Sequence, residues 1–442
     1  MTSVRLIAFY LPQYHPIPEN DQWWGKGFTE WRNVVNAKPL FPGHFQPQLP
    51  TDLGFYDLRI PEVRIEQAAY ARKAGIHGFC YYYYYFNGKR LLERPLMEML
   101  ESVSPGFPFC ICWANENWTR AWDGNESEVL IQQIHSREDD YRFITGLLPI
   151  FSDPRYIRVN NRILLLVYRV DQMPDPLQTT ALWREFVKKE IGLDLYLCAV
   201  NNFVKDIDPR PIGFDATVQF PLDFNEGCRL DPVEFARINK LSPEKLKDHW
   251  FISYPLIVEH LLNLQKPEYT FFRGVFPSWD NTARRPRTSA VFVNATPEMY
   301  KLFLQATIAK TCLEHKGDER LIFINAWNEW AEGTHLEPDN RYGNRWLEVT
   351  SEAMSVPVDL ESVNAEIRAK TSVSPYLVNK IRNGEDAIAD AAFPGSGPND
   401  SKRLTADDIR RTLTFRLGKA ILWFPFQVRC LYRKFRTKSN ES

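Results

Sequence analysis

The chain has no run of apolar residues near the roughly 20 that a membrane-spanning helix requires, so no transmembrane span is expected. It has no phosphate loop of the form G-x-x-x-x-G-K-[ST] and no G-x-S-x-G nucleophile elbow, so P-loop phosphoryl transfer and α/β-hydrolase chemistry both lack their motif. The eight histidines are scattered and no His/Cys cluster has metal-ligand spacing, so neither a metal nor a cofactor is expected. Cysteine is sparse and odd in number, seven in all, with Cys110 and Cys112 alternating along a strand-like segment. They read as reduced core thiols of a cytoplasmic protein. The start, Met1-Thr2-Ser3-Val4-Arg5, runs into a strand-like segment with Pro12 where a secretory leader would have its apolar stretch, which agrees with that compartment. Net charge is nearly absent, −1 over 442 residues, and no nucleic-acid partner is expected.

Aromatic residues are abundant: 13 Trp, 19 Tyr and 29 Phe. Flat aromatic faces stack on the apolar faces of sugar rings, so the excess suits a carbohydrate ligand, although a Phe-rich core absorbs much of the Phe. The small net charge hides an asymmetry. Residues 402–442 hold eleven Lys or Arg against three acids, a net of +8, which leaves −9 for residues 1–401. Within this tail Leu413, Leu417, Ala420, Phe424, Val428, Leu431 and Phe435 recur at helical steps, interrupted by Pro425. Such a segment is expected to make peripheral contact with an anionic membrane at its inner face.

Along the chain, short apolar runs alternate with helical patterns. Strands are expected at Val4–Tyr10, Tyr81–Tyr85, Phe107–Trp113, Arg162–Tyr168, Leu195–Val200, Ala216–Phe220, Tyr269–Phe276 and Leu321–Asn325, with helices between them. Polar or aromatic residues sit at each strand's C-terminal end. This is the pattern of a (β/α)₈ TIM-type barrel with long βα loops. An open doubly wound sheet would want a Gly-rich turn after its first strand, where this chain has Leu11-Pro12-Gln13-Tyr14. The loop from His15 to Pro50 is expected to lack regular structure and to be functional. The division is a barrel over 1–356, a mixed connector and linker over 357–401, and the basic tail over 402–442.

Chemistry in a barrel collects where the strands end. The last strand runs into Trp327-Asn328-Glu329-Trp330-Ala331-Glu332-Gly333, two carboxylates three residues apart among indoles. Paired carboxylates are what proton transfer at a sugar centre needs; a solvated turn capping the next helix is the competing reading. Glu329 and Glu332 are the catalytic candidates. Tyr10, Trp31, Tyr83, Trp113, Asn115, Glu116, Asn201, Trp279, Asp280, Asn281, Trp327 and Asn328 are the candidate substrate contacts, with Trp31, Trp113 and Trp279 as sugar platforms. The one D-x-D, Asp206-Ile207-Asp208, is followed by prolines and reads as a solvated turn before it reads as a nucleotide-sugar site.

Ile7-Ala8-Phe9-Tyr10-Leu11-Pro12-Gln13-Tyr14-His15, Trp113-Ala114-Asn115-Glu116-Asn117-Trp118, Phe276-Pro277-Ser278-Trp279-Asp280-Asn281 and the Trp327–Gly333 motif closely resemble the WbsX family. Its members occur in surface-polysaccharide (O-antigen) biosynthesis clusters and are labelled glycosyltransferases. The likeness spans roughly residues 4–355. That family is in turn similar to glycoside hydrolase family ninety-nine, the endo-α-1,2-mannosidases and mannanases with (β/α)₈ barrels. The resemblance implies a polysaccharide or lipid-linked oligosaccharide substrate, with Glu329 as base and Glu332 as acid. It further implies that the base deprotonates the sugar's own 2-hydroxyl, giving a 1,2-anhydro intermediate with retention. A nucleotide-sugar transferase and a non-catalytic glycan-binding protein on the same scaffold are the alternatives.

Overall fold

The computed structural model describes residues 4–102, 104–120, 125–201, 207–372 and 376. Eight parallel strands close into a barrel: β1 (Arg5–Tyr10), β2 (Ile76–Phe86), β3 (Phe109–Trp113), β4 (Arg162–Val167), β5 (Leu195–Asn201), β6 (Ala216–Gln219), β7 (Phe271–Val275) and β8 (Leu321–Ile324). Closure is made by β1, which pairs with β2 on one side and with β8 on the other, Arg5 opposite Leu321. The runs are apolar on both faces because one face fills the barrel and the other meets helices. Gly78 in β2 is required by this packing, since a Cβ there would lie 2.6 Å from the Pro108 carbonyl oxygen.

Helices α1 (Pro61–Lys73), α2 (Arg94–Glu101), α3 (Arg137–Phe151), α4 (Pro176–Ile191), α5 (Tyr254–Asn263), α6 (Pro297–Glu314) and α7 (Arg345–Ser355) surround the strands. Strict alternation fails between β5 and β6. Among the described residues that connection holds only a single 3₁₀ turn, Arg210–Ile212, which contains Pro211 and is flanked by Pro209 and a left-handed Gly213, a sequence that cannot continue a helix. The loop after β1 also departs from expectation, because it contains the short helices Pro18–Trp24 and Trp31–Asn36. Pro18 starts the first of them, where its missing N–H costs nothing.

A further helix, Leu360–Thr371, packs against α5 and α6 and buries Ile367, so the chain beyond residue 356 first returns to the barrel wall. No helix among the described residues is long and apolar enough to cross a membrane. The linker at 393–398 and the basic tail at 402–442 lie outside the described residues.

The tyrosine run in β2 divides by parity. Tyr81, Tyr83 and Tyr85 face the helices: the Tyr81 hydroxyl meets Met99 Sδ at 3.7 Å, Tyr83 packs on Phe143, and the Tyr85 hydroxyl donates to Asp139 at 2.8 Å. Tyr82 and Tyr84 face inward. Tyr82 stacks on Phe9 at 5.4 Å, and Phe9 also meets Phe220 and Phe323, so aromatic rings plug the barrel and form the floor of a cleft above it.

One wall of that cleft is an insertion. Arg229–Leu230, Trp250–Ser253 and Ala290–Val293 form a small three-stranded sheet with its own apolar cluster, in which Phe235 and Phe251 stack at 4.4 Å.

Candidate active site

The segment after β8 is anchored before it reaches the cleft. Trp327 is fully buried; its backbone N–H donates to the Phe9 carbonyl and its ring packs on Phe79. Asn328 clamps the loop after β1, its Oδ1 accepting from Leu11 N–H at 2.7 Å and its Nδ2 donating to the Leu11 carbonyl at 3.0 Å. A hairpin with two-residue strands then pairs Asn328–Glu329 with Thr334–His335, so that Glu329 ends the first strand and Glu332 ends the one-turn helix Trp330–Glu332 that follows, both at the cleft. The turn closes at Gly333, whose φ of +61° an L side chain rarely adopts.

A carbon on Gly333 would also lie 2.7 Å from the backbone oxygen of Asp280, so the β7 and β8 loops meet backbone to backbone. Asp280 N–H donates to the Glu332 carbonyl at 2.8 Å, and Ser278 Oγ donates to the Gly333 carbonyl at 2.6 Å.

One guanidinium joins the carboxylates. Arg284 Nη1 donates to Glu332 at 2.5 Å, and its Nη2 is shared by Glu329 at 3.3 Å and Glu30 at 3.1 Å. Burial disfavours the charge on Arg284, but three carboxylates more than offset this. Burial and the neighbouring Glu332 push Glu329 up to about 8, against the pull of Arg284. Glu332 is also raised, by burial first and by Glu30, while Arg284 and Arg285 pull it back. The pair titrates as a unit, and in a neutral solution it holds a proton. This is the electrostatic condition for one acid and one base side by side.

Beneath the hairpin lies a further buried carboxylate. Glu337 accepts from Trp330 Nε1 at 2.6 Å, Tyr56 Oη at 2.8 Å and Gln67 Nε2 at 2.6 Å. Burial pushes it up to about 7 even though these donors favour its charged form. The Tyr14 hydroxyl donates to the Asn328 carbonyl and accepts from Trp330 N–H.

The cleft is about 750 Å³ and is lined by Gln13, Tyr82, Tyr84, Glu116, Trp118, Tyr168, Phe220, Phe224, Trp250, Trp279, Asn281, Arg284, Arg285, Glu329 and Glu332, among others. Of the residues singled out from the sequence, Glu116, Trp279, Asn281, Glu329 and Glu332 are brought together there. Glu116 is held by Arg169 at 2.6 Å. The remaining candidates lie behind this lining.

Trp31 is packed between Tyr14, Tyr56 and Trp330 with its Nε1 donating to the Tyr56 carbonyl. Trp113 is 1% exposed, packed on Phe143 with its Nε1 donating to the Tyr85 carbonyl; it is core, not a platform. Tyr10 and Tyr83 face the helices, Tyr10 donating to Gln67 at 2.7 Å. Asn115 exchanges hydrogen bonds with the Arg169 backbone, Asn201 ends β5, and Trp327 and Asn328 are the anchors described above. Asp280 sits under the cleft. Burial works against its charge, but His44 at 2.7 Å, Thr282 and Gln46 hold it below the usual carboxylate range.

Sequence reasoning missed Arg284, Glu30, Tyr82 and the Phe224–Trp250 wall. Glu30 had a signal, an acid between Phe28 and Trp31 in a loop otherwise rich in aromatics. Among the described residues no group of three or more His, Cys, Asp or Glu side chains is placed to hold a metal ion. Asp206 lies outside the described residues, and Asp208 is paired with Arg210 at 2.7 Å on the surface.

The family described as "Glycosyltransferase WbsX" matches residues 6–350. An uncharacterised protein WxcX of Xanthomonas campestris pv. campestris is 42% identical over 389 residues, 88% of this chain and 55% of the relative. The chain thus spans about half the length of that curated relative. Among solved structures, a glycoside hydrolase-like protein has a TM-score of 0.50 at 14% identity, over 80% of this chain and 94% of that one. A GH99 endo-α-mannosidase from Bacteroides thetaiotaomicron, in complex with bis-tris propane, has a TM-score of 0.50 at 15% identity, over 84% of this chain and all of that one. These structures share the barrel fold. The match over residues 6–350 settles the family: the chain belongs to the WbsX glycosyltransferases.

Proposed function

We propose that the protein is a carbohydrate-active enzyme that breaks or remakes a glycosidic bond of a surface polysaccharide or its lipid-linked precursor, with Glu329 and Glu332 as the reacting pair. The observation that carries this reading is the position of both carboxylates on one guanidinium at the floor of an aromatic-walled cleft. In the first step Glu329 takes the proton of the sugar's 2-hydroxyl as O2 attacks C1, and Glu332 gives its proton to the departing glycosidic oxygen. In the second, Glu332 takes a proton from water or an acceptor hydroxyl as that oxygen attacks C1, the C1–O2 bond breaks, and Glu329 returns its proton to O2. Configuration at C1 is retained. A base asked to deprotonate a sugar hydroxyl gains in strength from a raised pKa, and the reacting form is the one in which the pair's shared proton sits on Glu332 while Glu329 is ionised.

Charge supports a neutral glycoside as donor. The lining carries Glu116, Asp248, Glu329 and Glu332 against Arg284 and Arg285, with Glu30 behind them. A nucleotide-sugar diphosphate wants a cationic cradle, and Arg284 is already engaged by three carboxylates. The family's description favours transfer, so a transglycosidase, which passes the sugar to an acceptor hydroxyl, is the second reading.

Incubation of purified protein with surface polysaccharide from the source organism tests both readings. New reducing ends without nucleotide sugar are expected for hydrolysis and longer or rearranged chains for transglycosylation. Activity that appears only with a nucleotide sugar overturns both. The basic tail is proposed to hold the enzyme at an anionic membrane, and vesicle flotation of the full chain against one ending near Pro398 checks this; equal flotation refutes it.

A further inference from the structure

Glu30 takes no part in the steps above, yet its side chain is completely buried. Its place is set by packing and a backbone hydrogen bond as well as by the ion pairs. It precedes the short helix Trp31–Asn36, whose first residue is anchored to the Tyr56 carbonyl and packed on Trp330. From there its Oε2 reaches the same Arg284 nitrogen that reaches Glu329, and its Oε1 has no hydrogen-bond partner among the described residues. A buried carboxylate held through one oxygen is costly unless its charge is used.

We propose that Glu30 is a positioning residue that acts through Arg284: it fixes the guanidinium between Glu329 and Glu332 and leaves the cluster with more carboxylates than one cation can neutralise, so that the two glutamates keep a shared proton. The inference deepens, and rests on, the paired-glutamate reading. With Glu30 absent, one guanidinium would face two carboxylates and favour ionisation of both, which removes the acid the first step requires. The other groups that face Glu329 are the hydroxyls of Tyr14, Tyr82, Tyr84 and Tyr168, all kept neutral by burial. Arg285 acts on Glu332. Glu30 is therefore a carboxylate outside the pair whose charge Glu329 senses.

The test follows the proton without needing substrate. Full-length protein carrying [δ-13C]glutamate is titrated by NMR, the Glu329 signal being assigned by its loss in Glu329→Gln. Glu30→Gln is expected to lower the Glu329 midpoint by about one pH unit, the size of a close like-charge effect, and Arg284→Gln to raise it. A midpoint unmoved by Glu30→Gln overturns the proposal. Should that variant not fold, Glu30→Asp decides: withdrawing the charge from Arg284 must give a smaller downward shift, and none overturns it. A shift in a protein that cleaves no glycan leaves the coupling standing and sinks the paired-glutamate reading instead. In active protein the pH profile of kcat must move with the midpoint, which a merely structural role would not produce.

Discussion

Replacing Gly333 by alanine tests whether the β7 and β8 loops are as tightly joined as their backbones imply. The substitution forces an L side chain into φ +61°, which costs about 1–2 kcal/mol. The new carbon would lie 2.7 Å from the Asp280 oxygen, 2.9 Å from its nitrogen and 3.0 Å from its Cβ. These atoms are held in place and cannot swing aside as the end of a long side chain would. Relief requires the loops to part, which weakens the Asp280 N–H bond to the Glu332 carbonyl and the Ser278 bond to the Gly333 carbonyl, at about 1 kcal/mol each. The loss of stability should be about 3 kcal/mol, read as a lowered midpoint in urea with an unchanged slope. Because the same movement carries Glu332 away from Arg284, turnover should fall about 100-fold, the usual consequence of misplacing a reacting group by an ångström. Gly146, in the middle of α3 with open space around it, is the control: alanine there should stabilise by about 0.5–1 kcal/mol. A Gly333→Ala protein within about 1 kcal/mol of the parent and fully active would refute the reasoning.

Glu329→Gln and Glu332→Gln should each reduce turnover at least 100-fold, with Glu332→Gln least harmful when the leaving group departs without protonation; either variant retaining a tenth of parental rate removes its residue from the scheme. With the pair's shared proton leaving near 8, the parent's rate should fall as pH rises through that region, because Glu332 loses the proton it must give, and a profile flat from pH 6 to 9 would contradict the assignment. Trp279→Ala should weaken glycan binding and, because Trp279 is only 6% exposed, also lower the melting temperature, whereas Trp113→Ala should cost about 3–5 kcal/mol with no loss of glycan affinity in the folded protein, because Trp113 is 1% exposed in the core. Glu337 has a folded pKa near 7, above its ordinary 4.5. Its stabilising share is thus full below about 4.5 and lost as pH rises through 7. The melting temperature should fall across that window, and Glu337→Gln should flatten the fall.

How much of this was legible in the sequence depends on the range of the interactions involved. The eight strands announce themselves as apolar runs because a barrel buries both of their faces, and the Trp327–Gly333 motif lies in one stretch of chain. Parity in the tyrosine run was not legible: alternation says that alternate residues share a face, and only the helices α2 and α3 packed on Tyr81, Tyr83 and Tyr85 say which face is inside. The indoles misled for a related reason. Trp31 and Trp113 stand at the ends of elements, where a barrel keeps its chemistry, but their N–H groups are taken by backbone carbonyls and their rings by neighbouring aromatics.

The electrostatics were the least accessible. Arg284 is separated by 48 residues from Glu332, 45 from Glu329 and 254 from Glu30, and no local spacing rule reaches so far. What turns two glutamates into a pair that can hold one proton is a cation delivered by the β7 loop and a carboxylate delivered by the β1 loop. Both are fixed by contacts to backbone, Asp280 against Gly333 and the Asn328 side-chain amide on the Leu11 N–H and carbonyl. The motif therefore supplies the reacting groups, while their acidity belongs to the closed ring of strands that brings the first, seventh and eighth loops together.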